Sequence, residues 1–138
     1  MEKQIRVIAR LDVKSENVIK GVNFEGLKVI GSPRDLALKY IKQGADELLY
    51  IDTVASLYGR NNLIEVIKKT AEHVDVPIIA GGGVRSFEDI DNLLKAGADK
   101  VAINTYAVKN PDFIQLAVKK YGSQCIVASI NAKKIDSQ

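Results

Sequence analysis

The sequence predicts an α/β chain of the (β/α)8-barrel type that contains the first four β-α units and a fifth strand. Short apolar runs alternate strictly with longer segments of helical period, which implies a parallel sheet with helices packed outside it. The motif Gly44-Ala45-Asp46 returns as Gly97-Ala98-Asp99, 53 residues later. Duplication of a two-unit module is more typical of a barrel than of a dinucleotide-binding fold, and no GxGxxG motif follows the first strand.

The individual elements are predicted from apolar periodicity and from capping residues. The strands are residues 4–12, 47–52, 76–80, 100–104 and 124–130, and the helices are residues 33–43, 63–73, 86–96 and 111–120. Ser32 and Asn110 are the expected N-caps of the first and fourth helices. Ser86 and Asp89 form a capping-box-like start of the third helix. The segment between the first strand and the first helix is predicted to be the longest loop.

The first strand has one apolar face and one face that carries charge. Alternation places Val7, Ala9, Leu11 and Val13 on one side and Arg6, Ile8, Arg10 and Asp12 on the other. A sheet covered by helices on both faces should be apolar on both, whereas a barrel interior is functional at its rims. Because Glu47 and Lys100 open the second and fourth strands, Arg6, Glu47 and Lys100 are expected to form a charged ring at the N-terminal mouth. Three unrelated surface charges are the alternative, and spacing alone favours it.

The length of the chain bounds its organisation. Its 138 residues fit one domain, residues 1–138, whereas a complete barrel needs about 250 residues. A half-barrel exposes two sheet edges and an apolar inner face. We therefore expect either a homo-oligomer, or a complementing half-barrel, or a place within a longer barrel.

Composition excludes several classes of function. Apolar residues make up 46% and charged residues 27%, which predicts a globular core. The net charge of +3 is spread along the chain without a basic block, so nucleic acid is not an expected partner. No apolar run suggests a membrane span, and the single cysteine, Cys125, suits a reducing cytoplasm. No metal and no cofactor are expected.

Two adjacent strand ends carry residues suited to phosphate. Gly81-Gly82-Gly83 ends the third strand, where glycine lets backbone N–H groups approach an anion closely. Asn104 and Thr105 end the next strand and add an N–H and a hydroxyl. Together these predict one phosphate site, and the alternative is that the glycines only form a tight turn.

Other candidates lie at the same mouth. Asp12 ends the first strand, where barrel enzymes keep their chemistry, and its carboxylate can act as a general base. It could instead be a turn or N-cap aspartate. Asn131 follows the fifth strand. Lys20 lies in the longest loop, where it could close over a substrate phosphate or be solvated.

These residues resemble the cyclase subunit of imidazole glycerol phosphate synthase in order and spacing. The resemblance covers residues 6–134 but only about the first half of that family's barrel. The segment 97–105, Gly-Ala-Asp-Lys-Val-Ala-Ile-Asn-Thr, is its most specific part. The family closes an imidazole ring with ammonia from a partner glutaminase, and it releases imidazole glycerol phosphate and an aminoimidazole carboxamide ribotide in histidine biosynthesis.

The resemblance implies a role for each candidate. By resemblance these are the general base Asp12, the loop lysine Lys20, the phosphate site Gly83, Asn104 and Thr105, the ammonia gate Arg6, Glu47 and Lys100, and the glutaminase contact Asp99.

Two positions depart from the family. Asn131 stands where the family has a second catalytic aspartate, and an amide cannot exchange the proton that an acid-base pair needs. Arg10 stands where the family usually has a small residue, and a buried guanidinium there should pair with Asp12. The sequence also resembles cyclase-like paralogues of surface-sugar amidotransfer pathways. We therefore expect impaired cyclase activity, or else a non-catalytic half-barrel that binds a sugar phosphate or docks a glutaminase.

Overall fold

A computed structural model describes residues 3–21, 27–53 and 63–135, which form one seven-stranded sheet with helices packed against it. The strands are β1 (Ile8–Lys14), β2 (Asn17–Gly21), β3 (Leu27–Gly31), β4 (Glu47–Asp52), β5 (Ile78–Gly81), β6 (Lys100–Ile103) and β7 (Ile126–Ala128). The helices described are α1 (Pro33–Lys42), α2 (Leu63–Ala71), α3 (Phe87–Ala96), α4 (Thr105–Lys109) and α5 (Pro111–Tyr121).

Five strands of the sheet are parallel and follow one another in chain order. The sheet order is β3-β2-β1-β4-β5-β6-β7, and every pair from β1 to β7 on that side is parallel. Each β-α unit therefore adds its strand to the same edge, without the reversal of strand order that defines a doubly wound sheet. This order confirms the prediction of a barrel-type α/β fold with four β-α units and a fifth strand.

The predicted long loop is wrong, because much of it forms a hairpin. β2 pairs antiparallel with β1 through Val13↔Val18, and β3 pairs antiparallel with β2. Val18 and Ile19 are buried, so this segment has the apolar content of a strand despite its short length. The hairpin covers the last two residues of the edge of β1 that the sequence predicted to be open, Val13 and Lys14. It also places Lys20 on a strand rather than on a loop.

Smaller corrections concern helix ends. Ser32 and Ser86 accept hydrogen bonds from the backbone N–H groups of Asp35 and Asp89, as expected for N-caps. The Asp89 carboxylate accepts the N–H of Arg85, one residue before the cap, at 2.9 Å. Asn110 occupies the predicted N-cap position before Pro111, but its side chain makes no capping hydrogen bond. Helix α4, directly after β6, was not predicted.

The helices cover one face of the parallel sheet. In the described part of the chain the opposite face has no helix against it and is exposed at β1, whereas Ile79 and Ala102 at its centre are 4% and 3% exposed. On β1, Leu11 and Val13 are each 1% exposed and pack toward the helices, whereas Ile8 is 44% exposed on the opposite face. Tyr50 of β4 is fully buried in the helix-side layer. Its hydroxyl donates to the carbonyl of Pro33 at 3.0 Å and lies 3.1 Å from the hydroxyl of Thr70, which ties β4 to α1 and α2. The predicted alternation is confirmed from Ile8 to Val13, whereas Val7 precedes β1 and is 58% exposed.

Among the residues that the structure describes, no helix is both long and apolar enough to cross a membrane.

Candidate functional site

A cavity of about 420 Å³ lies at the carboxyl ends of the parallel strands. Its lining comes from the ends of β4, β5, β6 and β7 and from the inner face of β1. The lining residues are Arg10, Ile51, Asp52, Thr53, Gly82, Gly83, Val84, Arg85, Ala102, Asn104, Thr105, Tyr106, Lys109, Ser129 and Asn131. The carboxyl ends of parallel strands meet at one edge, which is where α/β proteins bind their ligands.

The glycine turn after β5 is required by close packing. Gly82 and Gly83 have φ angles of +110° and +67°, a backbone conformation that residues other than glycine rarely adopt. A Cβ on Gly82 would lie only 2.3 Å from the carbonyl oxygen of Asp52. The glycines therefore do form the tight turn that the alternative interpretation describes. The structure also brings Gly83, Asn104 and Thr105 into the same cavity, while their binding of phosphate stays a prediction.

Arg10 and Asp12 form an ion pair at this mouth. Arg10 Nε donates to Asp12 Oδ1 at 2.9 Å, so the expected pairing is present. The expectation of a buried guanidinium is wrong, because the Arg10 side chain is 49% exposed on the open inner face. Arg10 lines the cavity and Asp12 does not.

Of the other predicted residues at this end of the sheet, Asn131 lines the cavity and Lys20 does not. Asn131 lines the cavity and is exposed, so an amide occupies this side of the mouth. Lys20 is exposed on β2 and is not among the lining residues. Asp52 ends β4 and is 6% exposed; alternation places it on the helix side of the sheet, and it also lines the cavity.

Several of the residues that line the cavity were not predicted from the sequence. Ser129 directly follows β7, so its place at a strand end could have identified it. Arg85 lies two residues after the glycine turn. Tyr106 and Lys109 belong to α4, and they reach the cavity because that short helix begins immediately at the end of β6.

A charged cluster lies at the opposite, N-terminal end of the strands. Glu47 Oε1 accepts hydrogen bonds from Arg6 at 2.9 Å and from Lys100 at 3.1 Å. The Glu47 side chain is 4% exposed, that of Lys100 is 23% exposed and that of Arg6 is 64% exposed. The three charges are therefore in contact, and the alternative of unrelated surface charges is wrong. A role in passing ammonia stays a prediction.

The duplicated Gly-Ala-Asp motif has a shared structural role. Asp46 accepts the N–H of Val7 at 2.7 Å, and Asp99 accepts the N–H of Ile78 at 2.8 Å. In each case the backbone N–H of the aspartate also donates to the carbonyl of the same residue, at 2.8 Å. Each aspartate thus forms two hydrogen bonds with the backbone at the start of the preceding parallel strand, β1 for Asp46 and β5 for Asp99. Asp99 has this internal role whether or not it also contacts a partner.

The side chains of Tyr50 and Cys125, which lie outside the cavity lining, have raised pKa values. Burial raises the pKa of Tyr50 to about 12, and its hydrogen bond with Thr70 opposes that shift. Burial, together with the charge of Asp99, raises the pKa of the Cys125 thiol. Cys125 is therefore protonated at neutral pH and is not an activated nucleophile. Within the described ranges, no group of three or more His, Cys, Asp or Glu side chains is arranged to hold a metal ion.

Comparison with known proteins identifies the family. A sequence profile of the family described as "Histidine biosynthesis protein" matches residues 6–138. The chain belongs to this family. It is 60% identical over 130 residues to the imidazole glycerol phosphate synthase subunit HisF of Legionella pneumophila, which covers 94% of this chain and 61% of that protein.

Two further relatives carry the same name. The HisF subunit of Corynebacterium diphtheriae is 50% identical over 135 residues, covering 98% of this chain and 52% of the relative. The HisF subunit of Mycobacterium tuberculosis is 50% identical over 131 residues, covering 95% of this chain and 49% of the relative. The resemblance to the cyclase subunit is confirmed, and the chain spans about half the length of these two relatives.

Proposed function

We propose that this chain supplies the N-terminal half of a phosphate-binding barrel that acts as the cyclase subunit of imidazole glycerol phosphate synthase. The proposed reaction closes an imidazole ring with ammonia and yields imidazole glycerol phosphate and aminoimidazole carboxamide ribotide. The observation that carries the proposal is the cavity at the strand ends, lined by Gly83, Asn104 and Thr105. Family membership and the identity to HisF subunits support it.

The phosphate site is the first part of the proposal to test. Gly83 offers a backbone N–H in a turn of positive φ, and Thr105 begins α4, so N–H groups and a hydroxyl converge on one cavity. Titration with glycerol phosphate, followed by amide NMR, should shift the resonances of these residues at millimolar ligand. The amide of Gly44, at the far end of α1, serves as the internal control and should not move. Unchanged resonances around the cavity would refute the site.

Ammonia is proposed to enter from the opposite end, past Arg6, Glu47 and Lys100. The shared carboxylate oxygen of Glu47 holds both cations at the amino ends of the strands, away from the cavity. A glutaminase is the proposed partner at this end, with Asp99 near the contact. In a completed barrel, Lys100→Met should lower the glutamine-dependent rate with partner present more than the rate with free ammonium. Equal effects on both rates would contradict a gating role.

A non-catalytic role is the second candidate. Asn131 lacks an acidic proton, and the Asp12 carboxylate is paired with Arg10 at 2.9 Å, so the two predicted catalytic positions do not form an acid-base pair. These features also fit a cyclase-like paralogue in surface-sugar amidotransfer. By the resemblance, the substrate of the reaction is a bis-phosphorylated ribulosyl formimino compound. In a completed barrel, Asp12→Asn should abolish its ammonia-dependent loss if the chain is catalytic. A wild-type barrel that binds phosphate and shows no turnover would favour the binding role.

The open inner face is proposed to be covered in solution. Ile8 is 44% exposed there, and Val127 of β7 is partly exposed on the same face. A second copy of this chain, or a complementing half-barrel, would bury these side chains, and most homo-oligomers are symmetric. Light scattering of the isolated chain should give a mass above that of one 15.1 kDa chain. A monodisperse monomer at high concentration would refute this part. The cytoplasm is the proposed site of action.

A further inference from the structure

We propose that Arg10 determines substrate specificity by binding a second oxyanionic group, a carboxylate or a further phosphate, on a ligand whose first phosphate occupies the Gly83–Asn104–Thr105 site. The inference rests on the phosphate site of the proposed function. It adds a ligand class: phosphorylated compounds that carry another acidic group a few atoms away.

The orientation of the guanidinium is the first step of the argument. Arg10 Nε donates to Asp12 Oδ1 at 2.9 Å. Within the described part of the chain, the guanidinium makes no other hydrogen bond. Arginine has five N–H donors in a planar fork, so its two terminal nitrogens remain available. Asp12 thus acts as a positioning residue that fixes one edge of the fork and leaves the other for a ligand.

The location of Arg10 is the second step. Its side chain is 49% exposed and lines the same cavity as Gly83, Asn104 and Thr105. A ligand that reaches from the glycine turn toward β1 therefore meets a preoriented guanidinium. The guanidinium of Arg10 reaches along β1 to Asp12, two residues nearer the carboxyl end of the strand, and so extends toward the end of the sheet where the cavity lies.

The charges around the cavity are the third step. Three basic side chains line it, those of Arg10, Arg85 and Lys109, against one acidic residue, Asp52. Asp52 is 6% exposed and belongs to the helix-side layer of β4. One phosphate carries close to two negative charges, and a second oxyanion complements the remaining positive charge at Arg10. The arginine fork matches carboxylate and phosphate geometry through two parallel hydrogen bonds.

The test compares two ligands that differ by one acidic group. Calorimetric titration of the full chain with glycerol phosphate and with 3-phosphoglycerate, at one ionic strength, gives the ratio of their affinities. We expect the wild type to bind 3-phosphoglycerate about tenfold more tightly, as for a charge-assisted hydrogen bond. Arg10→Met should reduce the ratio to about one, and the ratio is the readout because removal of this charge also lowers the affinity for glycerol phosphate itself.

Two further variants separate charge from geometry. Arg10→Lys keeps the charge without the fork and should retain only part of the preference. Arg34→Met is the matched control, because Arg34 is 50% exposed, pairs with an adjacent aspartate at 3.3 Å and lies outside the cavity. It should leave the ratio unchanged.

The outcomes distinguish the two proposals. If the wild type binds both ligands equally, or if Arg10→Met keeps the preference, the role of Arg10 is overturned while the phosphate site stands. If glycerol phosphate binds to neither wild type nor variants, the phosphate site fails and this inference fails with it. A preference that is lost in Arg10→Met and retained in Arg34→Met supports the inference.

Discussion

Replacing Gly82 with alanine should destabilise the protein much more than the same change at Gly44. Both glycines have positive φ, +110° and +104°, so the backbone penalty for alanine is similar, about 1–2 kcal/mol. Their surroundings differ. A Cβ at Gly82 would lie 2.3 Å from the carbonyl oxygen and 2.8 Å from the nitrogen of Asp52, whereas a Cβ at Gly44 has nothing within 4 Å.

The backbone at Asp52 cannot yield without losing hydrogen bonds. Val13 pairs with Asp52 in the β1–β4 ladder, and its carbonyl accepts the N–H of Thr53 at 3.0 Å. Losing one or two such bonds adds about 1–3 kcal/mol. We therefore expect Gly44→Ala to lower the free energy of unfolding by about 1–2 kcal/mol and Gly82→Ala by about 1–3 kcal/mol more.

Urea unfolding, followed by circular dichroism, measures this difference. The protein concentration must be the same for both variants, because association shifts apparent stability. Gly82→Ala should also weaken glycerol phosphate binding, since Gly82 lines the cavity, and Gly44→Ala should not. Equal losses of stability in the two variants would show that the contact with Asp52 does not restrain the turn, and the reasoning would be wrong.

Three other changes have defined expectations. Glu47→Gln should lower the free energy of unfolding in urea by about 1–2 kcal/mol, because it removes a carboxylate that is 4% exposed and neutralises two cations. Arg6→Gln should lower it by less than about 1 kcal/mol, because the Arg6 side chain is 64% exposed. Because burial raises the pKa of Tyr50 to about 12 from an ordinary 10, the contribution of its protonated hydroxyl to stability is complete below about pH 10 and is lost as pH rises toward 12. Tyr50→Phe should be less stable at pH 7 but should lose less stability between pH 10 and 12; an unchanged pH profile would contradict this. In a completed barrel, Asn131→Asp should raise ammonia-dependent turnover about 10²–10⁴-fold, and a flat rate would show that a second carboxylate is not needed.

Local patterns in the sequence were sufficient to predict the architecture. Helical periodicity and the caps at Ser32 and Ser86 depend on residues three or four positions apart, so they can be read without knowing the fold. The convergence of Gly83 with Asn104 could also be predicted, because the carboxyl ends of adjacent parallel strands meet at one edge. Chain order alone therefore indicates where the cavity forms.

Interactions between distant residues required the tertiary structure. Sequence alternation put Arg10 and Asp12 on one face, but their exposure depends on an inner face that the described residues leave uncovered. The contacts of Glu47 reach across 41 and 53 residues, and both cations share one oxygen only because of the register of three strands. The hairpin at Lys20 was missed because its two strands are only five residues each; β3 pairs with β2, and β2 pairs with β1. The hairpin is local, since Val13 pairs with Val18, and what was missed there is a short turn between two short strands. For Glu47 the partners lie far along the chain, and local periodicity carries no information about that register.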